Sequence, residues 1–393
     1  MREENTMWAI INARIMSVAG PTIARGTLLM ADGKIQQVGT EFPVPDQAKI
    51  MDARGRTVTP GIIEAHCHAG VHEEGLSWEG NDGNEATDPV TPEVRALDGA
   101  NPQDKAFRFF REAGITTSQL TPGSANIIGG EQLVVKSRDV NIIEKMILRH
   151  PSGMKAALGE NPKRVYGPEK LPSTRMGSAA VMRNWLERAR EYRAKRQNTN
   201  QGMPKYDMKL EALLPVLERK IPLRIHCHRA DDIATAVRIA TEFDLDFTLE
   251  HVTQGFKVVE FLKKHAIRCA LGPSMMSEAK EEMRDNGFLN AATLWRAGVP
   301  FCLTNDHPVI HGRNLPAVAG LLTRFGVPDE AALAAITLSA AEHIGVADSV
   351  GSLEPKKDAD VVMWSGDPLD ARTFADATWI DGSLVFQREE ESR

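Results

Sequence analysis

The run Val58-Thr59-Pro60-Gly61-Ile62-Ile63-Glu64-Ala65-His66-Cys67-His68 ends in two histidines one residue apart. Side chains at i and i+2 of a strand leave the same face, so His66 and His68 project together while Cys67 points the other way. Two neutral imidazoles on one face can hold a divalent cation. The same pair could also satisfy its own hydrogen bonds at a solvated rim, so its company decides the matter. Three later apolar runs also stop at ligand-type residues: Ile225-His226, Leu249-Glu250-His251 and Leu303-Thr304-Asn305-Asp306. Residues so distant in sequence converge if each ends a strand of a parallel barrel, because the C-terminal rim of such a barrel carries the active site.

The elements needed for this convergence are present. Apolar runs alternating with helical patterns predict an α/β fold, a (β/α)8 TIM barrel over residues 58–347. Its eight expected strands are Val58–His66, Thr116–Thr121, Gln132–Lys136, Met154–Glu160, Leu223–His228, Phe247–His251, Ile267–Leu271 and Phe301–Asp306. Helical spacing of apolar residues over Ala230–Phe243 and Lys257–His265 supplies an outer layer. Short strands with Asp-Gly turns recur at both ends, at Asp32-Gly33 and Asp381-Gly382, so 1–57 and 348–393 are expected to build one small β-sandwich. Residues 161–207, with Pro162, Pro168 and Pro172 before a charged helical stretch, read as an insertion over the barrel mouth. The tail Arg388–Arg393 is expected to fray.

These residues resemble the amidohydrolase superfamily, and within it the imidazolonepropionase-like and prolidase-like branch. The resemblance rests on Thr59-Pro60-Gly61 through His66-Cys67-His68, on His226, His251 and Asp306 in that order, and on the closing Gly351-Ser352-Leu353-Glu354-Pro355-Lys356-Lys357-Asp358-Ala359-Asp360-Val361-Val362. It implies that His66 and His68 bind a more buried metal and His226 and His251 a second. It also implies that Asp306 binds metal and serves as general base and acid. Many relatives bridge two metals with a carboxylated lysine at the end of the third or fourth strand, others with a glutamate. The fourth expected strand here contains both Lys155 and Glu160, which strand alternation places on opposite faces. Glu160, at the C-terminal end beside a Gly-Glu-Asn-Pro turn, is taken as the bridge. Glu250 or Asp231 is expected to orient ligand histidines.

Imidazole and carboxylate donors suit zinc first, in one or two ions, and also manganese, iron or nickel. Such an ion lowers the pKa of its water to about 7. The expected reaction is therefore hydrolysis of a C–N amide bond in a cyclic amide, an N-acyl amino acid or a dipeptide. A one-metal deaminase shares most of these ligands, but its glutamate shortly after the fifth-strand histidine is replaced here by Cys227-His228-Arg229-Ala230. A non-catalytic barrel scaffold would have been expected to lose ligands. His228, Arg229, Arg175, Tyr166 and His307 are candidate substrate-binding residues, the cationic ones suited to a carboxylate. Loops 71–82 and 123–130 either contact ligand or cover the mouth.

The formal charge of −6 has no basic cluster to neutralise phosphates, so the expected partner is a small molecule and not nucleic acid or a membrane. Related enzymes commonly form dimers or larger assemblies, which leaves a homo-oligomer open, and the sequence itself does not specify the oligomeric state. Two acidic residues near the start and the lack of an early apolar segment suggest a cytoplasmic protein. Cys67, Cys227, Cys269 and Cys302 each lie in an apolar run without CxxC spacing and are expected to be buried thiols.

Overall fold

The computed structural model describes residues 6–198 and 202–389. The first strands, β1 (Trp8–Ile15), β2 (Ile23–Ala31), β3 (Lys34–Gly39), β4 (Lys49–Asp52) and β5 (Thr57–Pro60), share one eight-stranded sheet with the last three, β14 (Val361–Trp364), β15 (Ala375–Ile380) and β16 (Ser383–Gln387). The central strands β5, β14 and β15 are buried on both faces, and Ile10, Leu28, Val58, Val361 and Trp379 from both chain ends meet in one apolar cluster. Arg388, in the tail expected to fray, pairs with Asp376, and 390–393 lie outside the described residues.

The run expected as the first barrel strand is divided. Val58 belongs to β5 in the terminal sheet, and the barrel begins with β6 (Ile62–Cys67). Gly61 makes the turn, where a Cβ would stand 2.0 Å from Thr116 Oγ1. The barrel continues through β7 (Ile115–Leu120), β8 (Ile128–Lys136), β9 (Ile147–Ala157), β10 (Leu223–Cys227), β11 (Phe247–His251), β12 (Cys269–Leu271) and β13 (Phe301–Leu303), and β13 returns beside β6. A wholly parallel order was expected, but β8 runs antiparallel to both β7 and β9. The link between β7 and β8 is too short for the crossover that parallel strands require.

The helix Ala230–Glu242 buries Ile233, Ala236, Val237 and Ala240, the apolar stripe of its period. The supposed insertion behaves differently. Helix Arg175–Gln197 packs against helices Met208–Leu217 and Ala230–Glu242, burying Met182, Leu186 and Tyr192, so it belongs to the outer layer and not the mouth. No helix among the described residues is long and apolar enough to cross a membrane. The four cysteines are buried and form no disulfide.

The reversed β8 ends at the barrel floor with Lys136, which is fully buried. Its ammonium donates to Asp358 Oδ2 at 2.6 Å, Asp360 Oδ1 at 3.0 Å and Asp381 Oδ1 at 2.5 Å, all from the C-terminal segment. Burial alone would favour the neutral amine, but the Asp360, Asp381 and Asp358 carboxylates hold Lys136 charged well above its ordinary range. This cluster joins the barrel to the terminal sheet.

Candidate metal centre

His66, His68 and Asp306 bring their ligand atoms together, and His226, His228 and His251 form a second such group. Ring centroids of His66 and His251 lie 4.9 Å apart, so the two groups adjoin. The spacing argument for His66 and His68 therefore holds in space. Two of these residues, His251 (φ 72°) and Asp306 (φ 55°), adopt the left-handed region as their strands end. Such backbone persists only where the surroundings enforce it, as at functional sites.

The hydrogen bonds decide which ring nitrogens are free. His68 Nδ1 is 2.8 Å from the Thr121 carbonyl, and His251 Nδ1 is 2.8 Å from the Gly272 carbonyl. A carbonyl only accepts, so each Nδ1 carries the proton and each Nε2 keeps a lone pair. His66 Nδ1 lies 3.0 Å from Glu250 Oε2 and follows the same logic. Glu250 is itself held by Thr248 Oγ1 at 2.9 Å and His343 Nε2 at 3.0 Å. It is thus the orienting carboxylate, while Asp231 pairs with Arg229 and has no such part. Burial pushes the pKa of both His66 and His228 down to about 4, and those of His226 and His251 fall well below their ordinary value. These rings are neutral at pH 7.

The anion of the first group is Asp306, with Oδ1 3.2 Å from His68 Nε2 and 3.7 Å from His66 Nε2. Burial disfavours its charge, but His251 and His68 hold it well below the usual carboxylate range. A neighbour fixes it in place: the buried Glu64 carboxyl, pushed up to about 8 by desolvation, accepts from Thr304 Oγ1 and from the Asn305 N–H at 3.1 Å. Asp306 Oδ1, both His226 ring nitrogens and Glu282 Oε1 are buried without hydrogen-bond partners. Orphaned polar atoms of this kind are costly unless something outside the polypeptide binds them. Lone pairs and carboxylates converging without donors fit a divalent cation.

Glu160 is not in either group. β9 ends at Ala157 and the chain turns at Gly159 (φ 91°), so strand alternation stops before Glu160, which opens helix Glu160–Tyr166. Its backbone N–H donates to Glu282 Oε2 at 2.9 Å. Lys155, still within β9, is the residue that faces inward, with Nζ 3.0 Å from His66 Nε2. Desolvation lowers its pKa to about 8.

Most of the expected substrate-binding residues are placed elsewhere. Arg175 Nε pairs with Asp232 Oδ2 at 3.0 Å, and Arg229 pairs with Asp231 at 2.9 Å. Tyr166 is buried and its hydroxyl donates to Asn126 Oδ1 at 2.9 Å. His307 and His311 form a third group with Glu74. Their Nδ1 atoms accept the Gly312 and Arg313 N–H groups at 3.2 and 3.4 Å, so in each neutral ring the proton is on Nε2, facing Glu74. No lone pair remains for a metal, and the group instead clamps the loop that follows His68. Asp104 adds to that clamp by accepting the Gly70 and Glu74 N–H groups.

A cavity of about 160 Å³ opens above the two groups, bordered by His68, His226, His228 and Asp306. Loop residues His72, Asn81 and Ser124 contribute to its wall. Lys280 is the lone lysine or arginine lining it among the described residues. Sequence reasoning missed Lys280 and Glu282, which lie in the charged stretch Glu278–Arg284 with no strand to give them direction. A larger open cleft on the terminal sheet, about 1250 Å³, is bordered by Arg56, Asp376 and Arg388, whose charges pair with one another.

Comparison with known proteins agrees with this geometry. The profile of the amidohydrolase family matches residues 100–386. The structure of an amidohydrolase from Thermotoga maritima MSB8 is 41% identical, with a TM-score of 0.94 over 97% of this chain and 100% of that one. Amidohydrolase tasK of Hapsidospora irregularis is 31% identical over 92% of this chain, which spans 40% of that protein's length. An imidazolonepropionase of Geobacillus sp. (strain WCH70) is 25% identical over 87% of this chain and 84% of its own. The chain belongs to the amidohydrolase family.

Proposed function

We propose that the protein hydrolyses a C–N amide bond in a small polar substrate at a centre of one or two divalent cations, zinc first among them. The observation that carries this reading is the hydrogen bonding of His66, His68 and His251, whose Nδ1–H groups are committed to acceptors so that their Nε2 lone pairs point towards Asp306, that of His66 meeting the Lys155 amine. When bound, the cation acidifies water to a pKa of about 7 and draws electron density from the scissile carbonyl.

The chain's own groups then have defined work. His66, His68 and Asp306 would hold one ion, and His226 and His251 the other, with His228 beside them. Lys155 would take the place first given to Glu160 between the ions: its amine would add to carbon dioxide and lose one proton to become an anionic carbamate. Burial favours the neutral amine that this addition needs. Asp306 accepts the proton of the attacking water and passes it to the leaving nitrogen, a transfer that needs hydrogen-bond reach to both. Lys280 donates to Asn161 Oδ1 at 2.9 Å, leaving ammonium protons to meet a carboxylate on the substrate.

The test is elemental analysis of purified protein together with a screen of N-acyl amino acids, dipeptides and cyclic amides. Stoichiometric metal with chelator-sensitive amide hydrolysis is the expected result. Activity indifferent to complete chelation would exclude the mechanism, and release of ammonia from a ring substrate would replace it with deamination.

A further inference from the structure

Glu282 has no part in the mechanism above, yet it sits against the second histidine group. Its side chain is fully buried. One oxygen, Oε2, accepts the Glu160 N–H at 2.9 Å. The other, Oε1, has no hydrogen-bond partner and lies 3.9 Å from both His226 Nε2 and His228 Nε2. His226 Nε2 is likewise without a partner. These distances are too long for hydrogen bonds. They are close to those that a shared ion imposes: ligand atoms about 2.0–2.2 Å from a tetrahedral ion stand about 3.4 Å apart.

We propose that Glu282 is the anionic ligand of the second cation, beside His226 and His228. The assignment rests on the reading of the centre as a metal site. Charge supports it. The imidazoles of the second group are neutral and bring it no carboxylate of its own, whereas the first group has Asp306. Local backbone also supports it. A Cβ at Gly159, where φ is 91°, would stand 2.7 Å from Glu282 Oε2, so glycine leaves the room in which the carboxylate seats itself. His228 Nδ1 lies 2.7 Å from Thr253 Oγ1, a hydroxyl able to accept its proton and so free Nε2 for the ion.

Titration of the metal-free full-length protein with cobalt(II), followed by its visible spectrum and by elemental analysis, tests this without reference to turnover. Wild type is expected to take up two ions per chain with separable dissociation constants. Glu282→Gln keeps an acceptor for the Glu160 N–H, so the fold should stand. The variant is expected to weaken one constant at least tenfold and leave the other within twofold. Glu282→Asp, charged but shorter, should fall between, and His228→Gln should weaken the same constant if Glu282→Gln does not fold. Two ions bound by Glu282→Gln with unaltered constants and spectrum would overturn the assignment alone. A wild-type protein that takes up a single ion would also overturn it. A wild-type protein that binds no cobalt would instead defeat the metal-dependent reading as a whole.

Discussion

Lys155 Nζ stands 3.0 Å from His66 Nε2, so the inward-facing amine of β9 meets the lone pair of a ring whose other nitrogen is held by Glu250. The proposed mechanism gives Lys155 the bridging place. Lys155→Ala should bind fewer ions per chain than wild type and lose about 10²-fold or more in kcat, the scale at which loss of a metal-positioning contact is felt. Intact-mass measurement under native conditions should show wild type, but not the variant, heavier by one carbon dioxide. Equal metal content and equal turnover in Lys155→Ala would remove the bridge.

Asp306 is fixed by the Glu64–Thr304–Asn305 hydrogen bonds and carries the proton in the proposed reaction. Asp306→Asn should fold normally by circular dichroism and lose about 10²–10⁴-fold in kcat, the usual contribution of a positioned acid or base. Retention of wild-type turnover would assign the base elsewhere.

Lys280, and not Arg175 or Arg229, lines the cavity. Lys280→Met should raise KM for carboxylate-bearing amides about 10- to 100-fold, as expected for losing a hydrogen bond to a charged group. Neutral analogues should be little changed, and Arg175→Ala and Arg229→Ala should leave KM as it was. A Lys280→Met enzyme equally impaired on charged and uncharged substrates would deny the lysine a recognition role.

The acid sensitivity of the metal-free protein has a definite sign. His66 and His228 titrate near 4 when folded, against an ordinary value of 6.5. Between those values the unfolded chain binds more protons, so stability is complete above about pH 6.5 and falls as pH drops towards 4, by about 3 kcal/mol for each ring. Urea midpoints measured with chelator from pH 7 to 4 should fall steadily, and a flat profile would contradict the neutral, buried imidazoles.

Lys136→Met should leave Asp358, Asp360 and Asp381 facing one another without their shared cation. The expected cost is about 3–5 kcal/mol, that of breaking a buried ion pair from one side. Urea denaturation reads it directly. A loss below 1 kcal/mol would mean that water or rearrangement compensates the three carboxylates.

Much of the site could be read from strand period and chain order alone. His66, His68, His226, His251 and Asp306 are each fixed by where an apolar run stops, and an error of one or two residues at a strand end moves none of them out of the rim. Glu160 failed for a physical reason. Glu160 was chosen for its place at the expected C-terminal end of the strand, but β9 stops at Ala157 and Gly159 turns the chain, so Glu160 lies apart from both ligand groups. Arg175 and Arg229 are paired with neighbouring carboxylates, Asp232 and Asp231, and do not line the cavity, because a guanidinium seeks the nearest carboxylate. Lys280 and Glu282 were invisible because a loop has no period to give direction. The antiparallel course of β8 was equally hidden, since a strand's composition does not encode which way it runs.

That reversal couples the two ends of the molecule. β8 starts near the opening of the barrel and finishes in the carboxylate knot beneath it, paired with β9 over Ile128–Val135 and with β7 over Leu133–Lys136. A lesion in the terminal sheet can thus reach the loop carrying Thr121 and Ser124 through one covalently continuous rod. Substitutions remote from any ligand, around Asp358 or Asp381, are where altered catalysis without altered chemistry should first be sought.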